Sequence, residues 1–340
     1  MKNKKAIILI IVLCIILIAL IACIVISNNG ETDNNIGKGN QTIEKNGTMA
    51  NGNQTRGTID KSDDEELQTL LEETESKFEQ IDYTDEKTGK EFAYNIFVPD
   101  DYNDSTEYPL VLFITDGSII GGNTTDALEQ GYGAVVWASE EDQSKHPCFI
   151  IAPEYPESIL DGEDDVTDYV TATLNLLEEL QEEYSIDSNR LYITGQSMGC
   201  MTALYLNGTY PDLFAASLYV DGQWSTDILE SLENQKFFYF AAEGDDKASE
   251  GMANVKAMFD EDGVSYAEAT LNTKDSSDEI NSAIEEVINQ GYSANFISWE
   301  EGSVLPDGND GSSMGSEHMY SFDHAYKISN VRDWLFEQAK

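Results

Sequence analysis

Short, nearly all-apolar runs at residues 91–98, 110–115, 134–138, 149–153, 190–194, 215–220, 237–242 and 295–299 predict strands, and amphipathic stretches separate many of them. A strand that is apolar on both sides must be covered on both sides. The pattern therefore predicts an α/β fold, with a mostly parallel central sheet and helices on both faces. The clearest helical stripe carries Val166, Tyr169, Val170, Leu174, Leu177 and Tyr184, spaced for one face of a 3.6-residue period. Ser62 with Glu65 has the capping-box pattern, and Leu67, Leu70, Leu71, Phe78 and Ile81 follow as a second stripe, so a helix is expected to open the folded part. The reading is one domain over residues 62–340, without an internal repeat.

Ahead of it, residues 6–26 form an unbroken apolar run behind Lys2, Lys4 and Lys5. At helical rise such a run crosses about 30 Å of hydrocarbon. The lysines favour a cytoplasmic N-terminus, which puts the rest of the chain outside the cell as a single-pass membrane protein. A cleaved secretory signal usually has a shorter apolar region. Lipidation at Cys23 is a third reading, because Leu20-Ile21-Ala22-Cys23 resembles a bacterial lipobox, although Ile24, Val25 and Ile26 continue the apolar run beyond it. Residues 27–61, crowded with Asn, Gly, Thr and Gln, hold too few apolar side chains to offset ordering entropy, and are expected to be a flexible tether.

The full chain carries 64 acidic and 19 basic residues, a formal charge of −45. Such a balance argues against nucleic acid as a partner. Of four cysteines, Cys14 and Cys23 lie in the apolar run. Cys148 and Cys200 remain, and buried free thiols are expected there. The acidic stretch 161–168 has no ordered calcium-loop spacing and reads as a solvated helix entrance.

The most informative segment is Arg190-Leu-Tyr-Ile-Thr-Gly-Gln-Ser-Met-Gly199: an apolar strand, then Gly195-Gln196-Ser197-Met198-Gly199, then helix formers. Glycines two before and two after a serine permit the tight crossing that lifts its hydroxyl off the sheet edge, the arrangement of a nucleophile elbow. A lone Gly-x-Ser-x-Gly is weak; the strand before it and the helix after it give it weight. An activated serine needs a base and a group to orient that base, which follow it in the order Ser, Asp or Glu, His.

There are three histidines. His146 precedes the serine and is read as structural or surface. His318 and His324 both follow the last predicted strand, and His318 is preferred because its surroundings, Gly-Ser-Glu-His-Met, read as a polar loop. Between serine and histidine, strand 237–242 runs into a glycine turn bearing Asp245 and Asp246, either of which can serve as the acid. The expected oxyanion donors are the Met198 N–H and one N–H from the loop after strand 110–115, at Asp116 or Gly117. Trp137 and Trp224 are read as core aromatics before pocket walls.

With these residues in view, a family resemblance becomes specific. The stretch from Ile186 to Gly199, Tyr210-Pro-Asp-Leu-Phe-Ala-Ala-Ser217, Glu243-Gly-Asp245, His318-Met-Tyr-Ser-Phe322 and Arg332-Asp-Trp-Leu-Phe336 resemble the secreted esterases of the α/β-hydrolase superfamily. The branch is the one often labelled predicted peptidase, related to feruloyl esterases and polyhydroxybutyrate depolymerases. The resemblance implies the α/β-hydrolase fold and selects Asp245 as acid and His318 as base. Cys200 departs from it, since that position is usually glycine, and this bears on how the elbow helix packs.

The expectation is thus a serine hydrolase of carboxylic esters working through an acyl-enzyme, with acetyl or feruloyl esters of polysaccharides as substrates, and needing no metal or cofactor. Two alternatives remain: a serine peptidase of the same fold, and an inactive surface binding protein on a hydrolase scaffold.

Overall fold

A computed structural model describes residues 59–162, 164–309 and 316–340. The expected membrane segment 6–26, the Cys23 lipobox and the tether up to residue 58 lie outside the described residues. Among the described residues, no helix is long and apolar enough to cross a membrane.

Nine strands form one sheet: β1 Glu79–Thr84, β2 Glu91–Phe97, β3 Tyr108–Ile114, β4 Phe149–Glu154, β5 Ile186–Gln196, β6 Ala216–Val220, β7 Phe237–Ala242, β8 Ala267–Leu271 and β9 Ala294–Trp299. Their order is β1-β2-β4-β3-β5-β6-β7-β9-β8. β2 pairs antiparallel with β1 and β4, and every pair from β4 through β8 is parallel. This is the mostly parallel sheet that the apolar strands require.

Side-chain alternation divides the core into two layers. On one face Val111, Phe113, Tyr192, Leu218, Phe238 and Phe240 pack with the N-terminal and C-terminal helices. On the other, Leu110, Leu112, Ile114, Ile193, Tyr219 and Tyr239 meet helices Asp168–Glu183, Met198–Thr209 and Asp246–Asp262. Period two in the strands is what sends neighbours to opposite faces. Cys148 and Cys200 are free and buried, one in each layer.

Several expectations need correction. Residues 134–138 are helical, spanning helix Tyr132–Val135 and the turn Val136–Ala138. All five are buried, and an apolar run wet on no side carries no period to tell helix from strand. Trp137 Nε1 donates to Gly133 O at 2.8 Å, a helical spacing. β1 and β8 were not expected. They are the sheet's two edges, and their polar sequences, Glu-Gln-Ile-Asp-Tyr-Thr and Ala-Glu-Ala-Thr-Leu, lack the apolar signature of the inner strands. The first helix is Glu65–Thr74, capped by Asp64, whose side chain accepts from Leu67 N, in place of Ser62. Phe78 and Ile81 therefore fall outside it. Lys61, expected in the tether, is clamped to the domain, with Nζ 2.8 Å from Gln130 O and 2.6 Å from Asp323 Oδ2.

Candidate active site

β5 ends at Gln196 and helix Met198–Thr209 begins two residues later, so Ser197 alone makes the turn. It does so at φ +51°, a strained value for a residue with a Cβ. Backbone contacts explain the flanking glycines. A Cβ on Gly195 would stand 2.5 Å from the Gly199 carbonyl carbon, and one on Gly199 only 1.9 Å from Ile114 O. Ser197 N donates to Val220 O at 3.0 Å, tying the turn to the end of β6. Cys200 is accommodated by the glycine it faces, since a Cβ on Gly222 would lie 2.7 Å from the Cys200 Cβ.

Three sequence-distant side chains meet here. His318 Nε2 is 2.8 Å from Ser197 Oγ, and His318 Nδ1 pairs with Asp245 Oδ2. An imidazole that gives its Nδ1 proton to a carboxylate leaves Nε2 free to accept. His318 is 12% exposed at the side chain and Asp245 9%; both are shielded, yet the ring remains reachable. Phe322 packs edge-on against the imidazole with centroids 4.9 Å apart. His318 sits in helix Ser316–Tyr326, not in the loop expected from its polar neighbours.

Of the two candidate acids, Asp245 is buried while Asp246 is exposed, and Asp245 also caps helix Asp246–Asp262 by accepting from Ala248 N. The other histidines lie elsewhere. His146 Nε2 is 2.9 Å from Asp333 Oδ1, with the ring stacked on Phe336. His324 rests against Trp299, and burial pushes its pKa down to about 4.

Met198 opens its helix, so its N–H has no intrahelical acceptor. A Cβ on Gly117 would lie 3.9 Å from Met198 Sδ, which brings the loop after β3 up to the elbow. In that loop Asp116 N donates to Gln130 Oε1 at 3.3 Å and Ser118 N to Asp116 Oδ1 at 2.6 Å. Asp116 N–H and Ser118 N–H, on either side of Gly117, thus already have acceptors. Gln196 Nε2 donates to Asp116 Oδ2 at 3.1 Å and to Gln130 Oε1 at 3.0 Å, locking loop to elbow. Sequence reading passed over Gln130, whose distance from the motif hides it, and Gln196, which sat in plain view as the motif's variable position.

A cavity of about 830 Å³ is lined among others by Asp116, Ser118, Ile120, Gln130, Met319 and Phe322; it borders the triad through Phe322, which packs on His318, and Ser197, His318 and Asp245 do not line it. Trp137 and Trp224 are core residues, 0% and 5% exposed. Among the described residues, no group of His, Cys, Asp and Glu is arranged to hold a metal ion.

A parallel sheet with a strained serine at a strand-to-helix turn defines the α/β-hydrolase fold. A family model described as "Putative esterase" matches residues 86–238, which include Ser197 but end before Asp245 and His318. Among solved structures, a thermostable esterase is 26% identical with a TM-score of 0.61, over 78% of this chain and 64% of that one. A ferulic acid esterase superposes with a TM-score of 0.52 at 12% identity, over 77% of this chain and 97% of its own; at that identity the likeness concerns the fold. The chain thus spans just under two thirds of the length of the thermostable esterase. No curated protein matches it. The chain is thus similar to a family described as putative esterases over residues 86–238, and in fold to a thermostable esterase.

Proposed function

We propose that the protein hydrolyses carboxylic esters through an acyl-enzyme on Ser197. The observation that carries this is the bonded chain Asp245–His318–Ser197. His318 Nε2 takes the hydroxyl proton as Oγ attacks the ester carbonyl, and Asp245 holds the ring in the tautomer that makes this possible. The Met198 and Gly117 N–H groups receive the developing oxyanion. His318 then passes its proton to the departing alcohol. Water, activated by the same imidazole, releases the acid.

The substrates we assign are acetyl or feruloyl esters carried on polysaccharide. A cavity of about 830 Å³ is spacious enough for an aromatic acid or a sugar unit, and Ile120, Met319 and Phe322 supply apolar wall. The location we assign is the outer face of a membrane. Residues 6–26 serve as anchor and the polar stretch that begins at residue 27 as tether, on the strength of the apolar run and its leading lysines.

The test is turnover of acetyl, feruloyl and peptide p-nitroanilide substrates by full-length protein in detergent, with fluorophosphonate labelling alongside. Ester turnover and labelling that both vanish in Ser197→Ala are expected. Peptide cleavage without ester cleavage would transfer the assignment to a peptidase, and absence of labelling would leave a binding scaffold.

A further inference from the structure

Lys61 lies at the end of the stretch expected to be a tether, yet its side chain is only 17% exposed. Nζ donates to Gln130 O at 2.8 Å and pairs at 2.6 Å with Asp323 Oδ2, on a side chain 15% exposed. The other Asp323 oxygen accepts from Tyr132 N at 3.1 Å. Lysine and aspartate thus grip the main chain on either side of Gly131, and a Cβ on that glycine would stand 2.6 Å from Lys61 Nζ. A shielded ion pair whose two members also bond fixed backbone groups holds its geometry better than an exposed pair does.

Each arm of this grip leads to a part of the catalytic site. Asp323 rides on helix Ser316–Tyr326, the helix of His318. Gln130, whose carbonyl Lys61 holds, uses its side chain on the elbow. Its Oε1 accepts from Asp116 N at 3.3 Å, in the loop after β3, and from Nε2 of Gln196 at 3.0 Å, the residue before Ser197. The turn 130–132 therefore stands between base and nucleophile, and Lys61 fastens its Gln130 end to the helix of the base. Lys327 makes a separate connection. Its Nζ is 3.0 Å from Glu66 Oε2 and 4.3 Å from the Tyr132 ring centroid, which seats helix Glu65–Thr74 independently of Lys61.

We propose that Lys61 is a positioning residue for the reaction: it holds Gln130 to the helix that carries His318, and through the Gln130 side chain it fixes the elbow and the loop after β3. The proposal rests on the reading of Ser197, His318 and Asp245 given above. Loosening the grip displaces nucleophile relative to base, and a misplacement of about 1 Å can cost about 10²-fold in rate. Binding of a small ester does not need that alignment, so the loss falls on kcat and spares KM.

The experiment measures kcat and KM on p-nitrophenyl acetate, and the urea midpoint, for full-length wild type, Lys61→Met, Gln130→Ala, Asp323→Asn and the double variant Lys61→Met/Gln130→Ala. Fluorophosphonate labelling counts competent serine. Lys87→Met breaks an exposed pair with Glu178; as the control for loss of a lysine it is expected to stay within twofold of wild type. Lys61→Met and Gln130→Ala are each expected to lower kcat about tenfold with KM within twofold. Asp323→Asn keeps an acceptor for Tyr132 N but not the charge that holds Lys61, and is expected to lower kcat about threefold. The double variant is expected to stay within twofold of the slower single variant, because both act through one contact. Full kcat in Lys61→Met, whatever its urea midpoint, reduces the lysine to a stabilising role and overturns the proposal. Losses that multiply in the double variant overturn it too. If Lys61→Met does not fold, full kcat in Asp323→Asn has the same force. Wild type that neither labels nor turns over ester would instead refute the serine-hydrolase reading, and this proposal with it.

Discussion

Asp245→Asn tests the site through the position of a single proton. The native carboxylate accepts twice, from Ala248 N at 3.4 Å through Oδ1 and from His318 Nδ1 through Oδ2. A carboxamide in that place has one acceptor and one donor. The Ala248 N–H is a fixed backbone donor at a helix start, so the amide oxygen turns toward it and the NH₂ faces His318. Nδ1 must then accept, and the imidazole carries its proton on Nε2, aimed at Ser197 Oγ, where it cannot take the serine proton. Serine proteases with the corresponding change lose about 10⁴-fold in kcat, and the same tautomer argument applies here. That factor corresponds to about 5 kcal/mol of transition-state stabilisation. The assay is kcat and KM on p-nitrophenyl acetate, with circular dichroism to verify the fold and Asp246→Asn as control. Asp246 is exposed, and its variant is expected to stay within twofold of wild type. A loss below tenfold in Asp245→Asn, or an equal loss in the control, would refute the reasoning.

Three further outcomes follow from the geometry. Gly199→Ala places a Cβ 1.9 Å from Ile114 O, an overlap with main chain that side-chain motion cannot relieve, and is expected to cost about 3 kcal/mol or more in urea unfolding. Asp142→Ala strands the buried Arg332, whose Nε and Nη2 contact Asp142 at 2.6 and 3.0 Å; an uncompensated buried charge costs about 3–5 kcal/mol, read as a lower urea midpoint at an unchanged slope. Glu154, at the end of β4, is pushed up to about 7 by burial. The unfolded chain gives up that proton near pH 4.5 and the folded one near 7, so this carboxyl costs stability progressively as pH rises between those values. Glu154→Gln should match wild type at pH 4.5 and exceed it at pH 8 in thermal melts; a constant difference across that range would show the carboxyl to be ionised throughout.

The elements legible in advance were those whose own chemistry dictates them. Inner strands such as Leu110–Ile114 within β3 and Phe237–Ala242 in β7 are apolar on both sides because both sides are covered. The Gly195–Gly199 turn shows in sequence because only glycine permits its backbone contacts. Edge strands β1 and β8 were illegible because their hydrogen-bonding partners, not their side chains, make them strands. Residues 134–138 misled because an apolar run has no intrinsic period once every side is buried.

At the site the division falls along the same line. Local sequence determined that Ser197 would sit on a strained strand-to-helix turn, that a carboxylate would follow β7, and that a histidine would follow the last inner strand, because strand, turn and chain order are properties of short segments. Tertiary structure alone decided which of Asp245 and Asp246 faces inward, that His318 rides on a helix, and that Asp116 N–H meets Gln130 Oε1. Each of these depends on what arrives from another part of the chain. Hydrogen-bond partners as far apart as Ser197 and His318 are set by packing of the sheet's two covering layers, which no local pattern encodes.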